Sequence, residues 1–182
     1  QHVDLRNLAT GAIASWQEVD SFTFSANANY LLLRRRAAGT GGAAGGRGGA
    51  GSDTSVAPGG APAAAAGAAS GDTATGPRGV DVTLYNLKTG RGQHIGSVGD
   101  MSFNKEGDLL AYTVDAAQKD GNGLFVIDLR NGRVHALDNA ARNYNRLTWS
   151  EDGTALAVLK GVDVDKMRER DNILIAFSPV QA

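Results

Sequence analysis

The tetrapeptide Gly96-Ser97-Val98-Gly99 is the nearest thing in this sequence to an activated serine. Serine hydrolases hold the nucleophile on a GxSxG elbow, a strained strand-to-helix turn that exposes the hydroxyl to a histidine and an oxyanion hole. Ile95 stands where the first glycine of that pattern belongs, and no GxSxG occurs in the chain. Ser97 is therefore expected in a turn, and no catalytic residue is assigned. The three histidines, His2, His94 and His135, are far apart and none is assigned to a metal. His94 and His135 follow Gly90 and Gly132 by four and three residues, matching places that predict two solvent-facing strands.

Three other clusters invite a reading. Gly46-Arg47-Gly48-Gly49-Ala50-Gly51 fits the dinucleotide fingerprint GxGxxG, but that chemistry needs a helix directly after the glycines, and Ser52-Asp53-Thr54 and Pro58 follow instead. No cofactor is expected. Residues 163–171, DVDKMRERD, carry seven charges in nine. Lys166, Arg168 and Arg170 would neutralise any calcium site built on the carboxylates, and the sharp-turn glycine is missing. The segment reads as a solvated loop, and Asp163, Asp165, Lys166, Arg168 and Arg170 form its candidate contact surface for a domain or substrate. Arg34-Arg35-Arg36 is too short a basic run to hold nucleic acid, and suits the soluble end of a strand.

The composition narrows the frame for these residues. The chain has 182 residues, 18 basic against 19 acidic side chains, a net charge of −1 and no cysteine. That balance gives no field toward nucleic acid or an acidic membrane, and disulfides and thiolate metal sites are excluded. No apolar run reaches the roughly 18 residues of a membrane span. The first residues, Gln1-His2-Val3-Asp4, carry neither an initiator Met nor a basic-then-apolar leader, which suggests an internal piece of a longer chain. Residues 37–79 hold 14 Gly, 14 Ala and three of the four prolines, with Val56 as the one large aliphatic. Ordering such a segment costs roughly 1 to 2 kcal/mol per residue, with little apolar burial to offset it. It is expected to be a disordered tether.

What remains repeats. Phe22 to Leu32, Met101 to Ala111 and Leu147 to Ala157 share one form: an aromatic residue, Ser or Asn, polar residues, glycine in two of the three copies, then an aliphatic run. That form predicts a strand ending in an inward ring, a tight polar turn and a second strand, with Phe24, Phe103 and Trp149 as equivalent core rings. Between its copies lie Val3 to Gly11, Val82 to Gly90 and Leu124 to Gly132, each a strand closing on Thr-Gly or Asn-Gly, and Asn172 to Phe177 begins a fourth. The unit is four antiparallel strands, a to d. The anchors Phe103 and Trp149 are 46 residues apart, near the roughly 40 to 50 of propeller blades.

The expected fold is therefore all-β, a β-propeller segment of just over three four-stranded blades. Residues 1–36 would give a partial blade and the first half of the next, 37–79 the insertion, 80–137 the second half of that blade and one complete blade, and 138–182 a partial blade. Residues 37–79, Ala116 to Gly123 and Gly161 to Asp171 are all b-to-c loops, so the interaction face is expected on the rim where those loops emerge.

Trp149-Ser150-Glu151-Asp152-Gly153 and Phe103-Asn104-Lys105-Glu106-Gly107, each followed by a Leu-Ala pair, resemble the "FSPDG…LA" repeat of WD40-like propellers. With Leu124 to Leu137 and the Gly/Ala-rich insertion, the chain most resembles the N-terminal propeller of bacterial secreted prolyl-oligopeptidase and dipeptidyl-peptidase relatives. That resemblance implies a non-catalytic domain that gates or docks peptide or protein substrates for an α/β-hydrolase domain in cis. It also implies a parent serine peptidase in the periplasm or outside the cell, with no cofactor and no nucleic-acid or membrane partner. The alternative is a Tol-associated or WD40-like interaction scaffold with no enzyme.

Overall fold

A computed structural model describes residues 2–37, 79–162 and 171–180. The Gly/Ala-rich segment, apart from its ends at Ala37 and Gly79, and the charged loop holding Asp163, Asp165, Lys166, Arg168 and Arg170 lie outside the described residues. Everything that follows concerns the unit formed by the flanking parts of the chain.

The strands run in chain order and pair antiparallel with their sequence neighbours. A first hairpin joins β1 (His2–Arg6) to β2 (Ile13–Gln17). The second blade is β3 (Val19–Phe24), β4 (Tyr30–Arg35), β5 (Val80–Asn86) and the first half of β6 (Arg91–Phe103). The third blade is the second half of β6, then β7 (Leu109–Val114), β8 (Gly123–Asp128) and β9 (Arg133–Asn139). The fourth is β10 (Tyr144–Trp149), β11 (Leu156–Val162) and β12 (Asp171–Phe177). β6 belongs to two blades because it does not stop between them. The ladder with β5 reaches Val98, the ladder with β7 starts there, and Ser97 at φ 55° bends the strand between the two. Ser97 thus lies within a continuous strand, where a free turn was expected.

The turns explain the repeat. In each a-to-b turn the residue after the ring returns to the next strand: Ser25 Oγ, Asn104 Oδ1 and Ser150 Oγ accept from the amides of Tyr30, Leu109 and Ala155 at 2.9 to 3.0 Å. Three residues later the chain needs positive φ, supplied by Gly107 and Gly153, and by Ala28 at φ 53°. Gly107 and Gly153 also sit against the preceding blade, where a Cβ would come within 2.8 Å of Ala26 N and of Lys105 Cβ. The c-to-d turns open on Asn7, Asn86 and Asp128, whose side-chain oxygens accept from amides two or three residues on, and close on the positive-φ glycines Gly11, Gly90 and Gly132.

In the second and third blades strands b and c are buried on both faces, so successive residues feed different cores. Leu31 and Leu33 face the first hairpin with Val3, Leu5 and Trp16, whose ring meets Tyr85 edge-on at 5.0 Å. Leu32, Val82 and Leu84 face the third blade with Leu110, Tyr112 and Ile127. Ala111, Leu124 and Val126 face the fourth, against Tyr144, Leu156 and Val158. Each fully buried aliphatic contributes about 1.5 to 3 kcal/mol, so the blade-to-blade seams hold the unit together.

Candidate functional site

The seam between the second and third blades opens on the rim of the a-to-b turns into a cleft of about 340 Å³. Its walls come from the ends of two a strands, Thr23 and Phe24 on one and Met101, Ser102 and Phe103 on the other, with Leu32, Ala26, Asn104 and Lys105 completing it. That volume is at the low end of the roughly 300 to 1,000 Å³ of ligand sites, enough for one or two side chains of a peptide and too small for a dinucleotide. The lining is mixed: Leu32, Met101 and Phe103 are apolar, Thr23, Ser102 and Asn104 are polar, and Lys105 is its one cation. A second cleft of about 190 Å³ lies along the same seam between the c-to-d turns, bordered by Lys88, Arg130 and Asp108. There Asn27 Nδ2 donates to Gly107 O at 2.8 Å and the Tyr30 hydroxyl to Leu129 O at 2.6 Å, joining the two blades, while Arg130 pairs with Asp108 within the third.

Both clefts lie on the rim of the short turns, opposite the one where sequence placed the interaction face. On the b-to-c rim the described loop after β7 is tied down. Asn122, fully buried, accepts from Ala116 N at 2.8 Å and donates to Arg142 O at 3.1 Å, while Lys119–Gly121 forms a 3-10 turn. Beside it, Lys160 Nζ and the Tyr144 hydroxyl both donate to Asp138 Oδ2 at 2.7 Å, and the Lys160 cation sits 5.6 Å from the Tyr144 ring centre. Burial pushes the Asp138 carboxyl up, but the hydrogen bonds and charge from its two partners win and hold it below the usual carboxylate range. Burial and the neighbouring Asp138 carboxylate raise the Tyr144 hydroxyl well above the ordinary tyrosine value, so it stays a neutral donor. The trio is a clamp and offers neither a base nor a nucleophile near neutrality. Sequence reasoning passed it over; the signal was Tyr144 at the place where the other blades have Val19 and Val98.

The serine and histidines are engaged separately. Ser97 O accepts from Asp115 N at 2.8 Å, and His94 Nδ1 is 3.0 Å from Thr83 Oγ1. Among the described residues no three His, Asp or Glu side chains could share a metal ion. His94 is exposed as expected, but His135 is half-buried, with Nε2 enclosed and without a hydrogen-bond partner among the described residues. The difference is one of face: His135 lies opposite Val126, on the side the fourth blade covers, and His94 opposite Thr83, on the side of the first hairpin. The arginine triplet is also divided. Arg34 reaches Gly99 O of the next blade at 3.2 Å, Arg35 pairs with Glu18 at 3.2 Å, and Arg36 is exposed.

The three anchor rings are not equivalent. Phe103 and Trp149 pack into the seams, and Trp149 Nε1 donates to Ser102 O of the preceding blade at 3.1 Å. Phe24 is 47% exposed, because the first hairpin supplies no a or b strand to cover it.

The chain aligns over 99% of its length with the β-propeller domain of the trilobed protease from Pyrococcus furiosus, which has an open velcro topology, at 9% identity and a TM-score of 0.52. The chain is a segment of a β-propeller. It spans 47% of that protein's chain. TolB from Acinetobacter baumannii aligns over 98% of this chain and 38% of its own at 14% identity and a TM-score of 0.44. The acylaminoacyl peptidase of Pyrococcus horikoshii aligns over 51% and 15% at 19% identity and a TM-score of 0.38. At those scores neither likeness bears on the fold, which rests on the blade pattern and the first comparison. No family model matches the sequence, and no curated protein matches it.

Proposed function

We propose that this propeller segment docks or gates peptide substrates for a serine-peptidase domain of the prolyl-oligopeptidase type, an α/β-hydrolase in cis, in the periplasm or outside the cell. The observation that carries the reading is the cleft between Thr23 and Leu32 of one blade and Met101 and Phe103 of the next, sized for a peptide side chain and carrying the single cation of Lys105. The similar fold of a propeller that belongs to a protease supports it. In this reading residues 37–79 are a tether, and Asp163, Asp165, Lys166, Arg168 and Arg170 touch the catalytic domain or its substrate from the opposite rim. The chain itself holds peptide and turns nothing over.

The test uses antibodies to this chain to capture its parent polypeptide from source cells treated with a fluorophosphonate serine probe. Covalent label on the captured polypeptide is the expected result. An unlabelled parent overturns the peptidase reading and leaves a scaffold that binds protein partners. Purified residues 1–182 should bind proline-containing peptides, release no product from them, and behave identically as Ser97→Ala.

A further inference from the structure

The second and third blades each carry all four strands, and the two clefts of the seam between them are parted by a single contact. Ala26 and Lys105 line the first cleft, Asn27 and Gly107 the second, and Asn27 Nδ2 donates to Gly107 O at 2.8 Å. The two turns touch so closely here that a Cβ on Gly107 would stand 2.8 and 3.0 Å from the amide nitrogens of Ala26 and Asn27. Acceptors of the second cleft are already in use. Asn86 Oδ1 accepts from the amides of Lys88 and Thr89, and Leu129 O from the Tyr30 hydroxyl. The Asp108 carboxylate takes Asn104 Nδ2 on one oxygen and Arg130 on the other. Donors are left over: the Asn86 side-chain amide, the rest of the Arg130 guanidinium, and Lys88, whose ammonium has no partner among the described residues. Lys88 and Arg130 against Asp108 leave one positive charge uncompensated.

From this surplus of donors and charge we propose that the second cleft binds the carboxylate of a peptide whose neighbouring apolar side chain fills the first. The inference rests on the peptide-docking reading for what brings the carboxylate there. A carboxylate only accepts hydrogen bonds and carries one charge, which matches spare donors around one uncompensated cation. A phosphate group, with a charge of roughly −1.5 to −2, would stay partly unneutralised. The cleft of about 190 Å³ holds a carboxylate with the methylenes that carry it. In an extended peptide, residues i and i+2 project to the same side about 6.5 to 7 Å apart. That is the shortest stride that sets one side chain in each cleft across the Asn27–Gly107 contact. The segment recognised is therefore an apolar residue followed two positions later by a carboxylate, borne by Asp or Glu or by a free C-terminus.

The probes are acetyl-Leu-Gly-Glu-Gly-amide, its glutamine counterpart, and acetyl-Leu-Gly-Gly with a free C-terminus, each titrated into the isotope-labelled full chain and followed by amide shifts in NMR. The glutamate peptide should saturably shift Thr23 and Met101 at the first cleft and Asn29, Lys88 and Arg130 at the second, and the glutamine peptide only the first set. Second-set shifts from the free-terminus peptide would add the C-terminus as a source of the carboxylate; their absence would assign the site to acidic side chains, and either result supports it. Lys88→Gln should weaken the glutamate peptide about fivefold or more, the loss of one hydrogen bond to a charged group. A folded Asp108→Asn, which frees Arg130, should bind more tightly, and Arg36→Gln on the opposite rim should change nothing. Lys88 and Arg36 are exposed, so those variants keep the fold, which far-ultraviolet circular dichroism checks. Equal second-set shifts from the glutamate and glutamine peptides, or an affinity unmoved by Lys88→Gln, overturns the proposal. A loss on Lys105→Gln in place of Lys88→Gln also overturns it and seats the acid in the first cleft. First-set shifts alone from every peptide overturn this site and leave the docking reading standing, whereas no first-set shift from any peptide overturns both.

Discussion

Truncating the three anchor rings one at a time should cost very different amounts. Trp149 lies in the seam between the third and fourth blades, and its indole N–H reaches Ser102 O at 3.1 Å. Removing a large core aromatic costs about 3 to 5 kcal/mol. The ring is not fully enclosed, which lowers that figure, while the abandoned carbonyl adds back about 1 kcal/mol. Trp149→Ala is therefore expected to lose about 3 kcal/mol, and Phe103→Ala about 2 to 3 kcal/mol. Phe24 belongs to no buried cluster and is 47% exposed, so Phe24→Ala should lose less than about 1 kcal/mol. The measurement is urea denaturation followed by far-ultraviolet circular dichroism, which does not depend on the deleted indole, at micromolar chain to keep association out of the result. A repeat protein can unfold blade by blade, so the midpoints are compared only where the slopes agree. A Phe24→Ala loss equal to that of Trp149→Ala would show that a buried seam encloses Phe24 and that the exposure argument is wrong.

Three further outcomes follow from the turns and the clamp. Gly153→Ala should cost about 2 kcal/mol or more, because the new methyl meets Lys105 in addition to the positive-φ strain. Gly132→Ala, at φ 74° with open space around it, should show only the strain, about 1 kcal/mol; equal losses in thermal melts would remove the inter-blade contact from the account. The Asp152 carboxyl accepts from the Ser150 hydroxyl and from Thr154, which holds it down to about 2; an NMR titration should find that midpoint, and Ser150→Ala should move it up toward the ordinary value. Because the Asp138 carboxyl is depressed on folding, its stabilisation is complete above the ordinary aspartate value near 4 and is lost as pH falls through the folded value. Lys160→Met should accordingly destabilise at pH 7 and lose its effect once pH falls below the folded value of Asp138, whereas a difference that persists unchanged into acid would assign Lys160 a packing role alone.

The blade pattern was open to sequence reasoning because each turn states its own requirements. Ser25, Asn104 and Ser150 must accept from a specific amide, which leaves Ser or Asn in every copy, and Gly107 and Gly153 adopt positive φ beside a neighbouring turn, which leaves glycine in two copies of the three. The aliphatic runs of strands b and c were readable for a similar reason, since in the second and third blades two buried faces leave little place for polar residues. The Asn or Asp opening each c-to-d turn was equally available, four residues ahead of the glycine, but the Thr-Gly and Asn-Gly pairs drew the reading to the end of the turn.

What stayed hidden depends on neighbours. Phe24 and Trp149 occupy the same place in the same local pattern, and only the blade in front of each decides whether the ring is core or surface. His94 and His135 diverge because they lie on opposite faces of their blades, His94 opposite Thr83 and His135 opposite Val126, a one-residue difference in register after the turn glycine. The cleft is the clearest case: its two sides, around Thr23 and Phe103, are 80 positions apart in one chain, and each follows the pattern of its own blade. A site made between repeated units uses residues that are typical of the repeat, so it leaves no exceptional residue for a motif search to find. It emerges only when the blades are set side by side, and its chemistry is then that of the seam, a gap of mixed polar and apolar lining edged by one lysine.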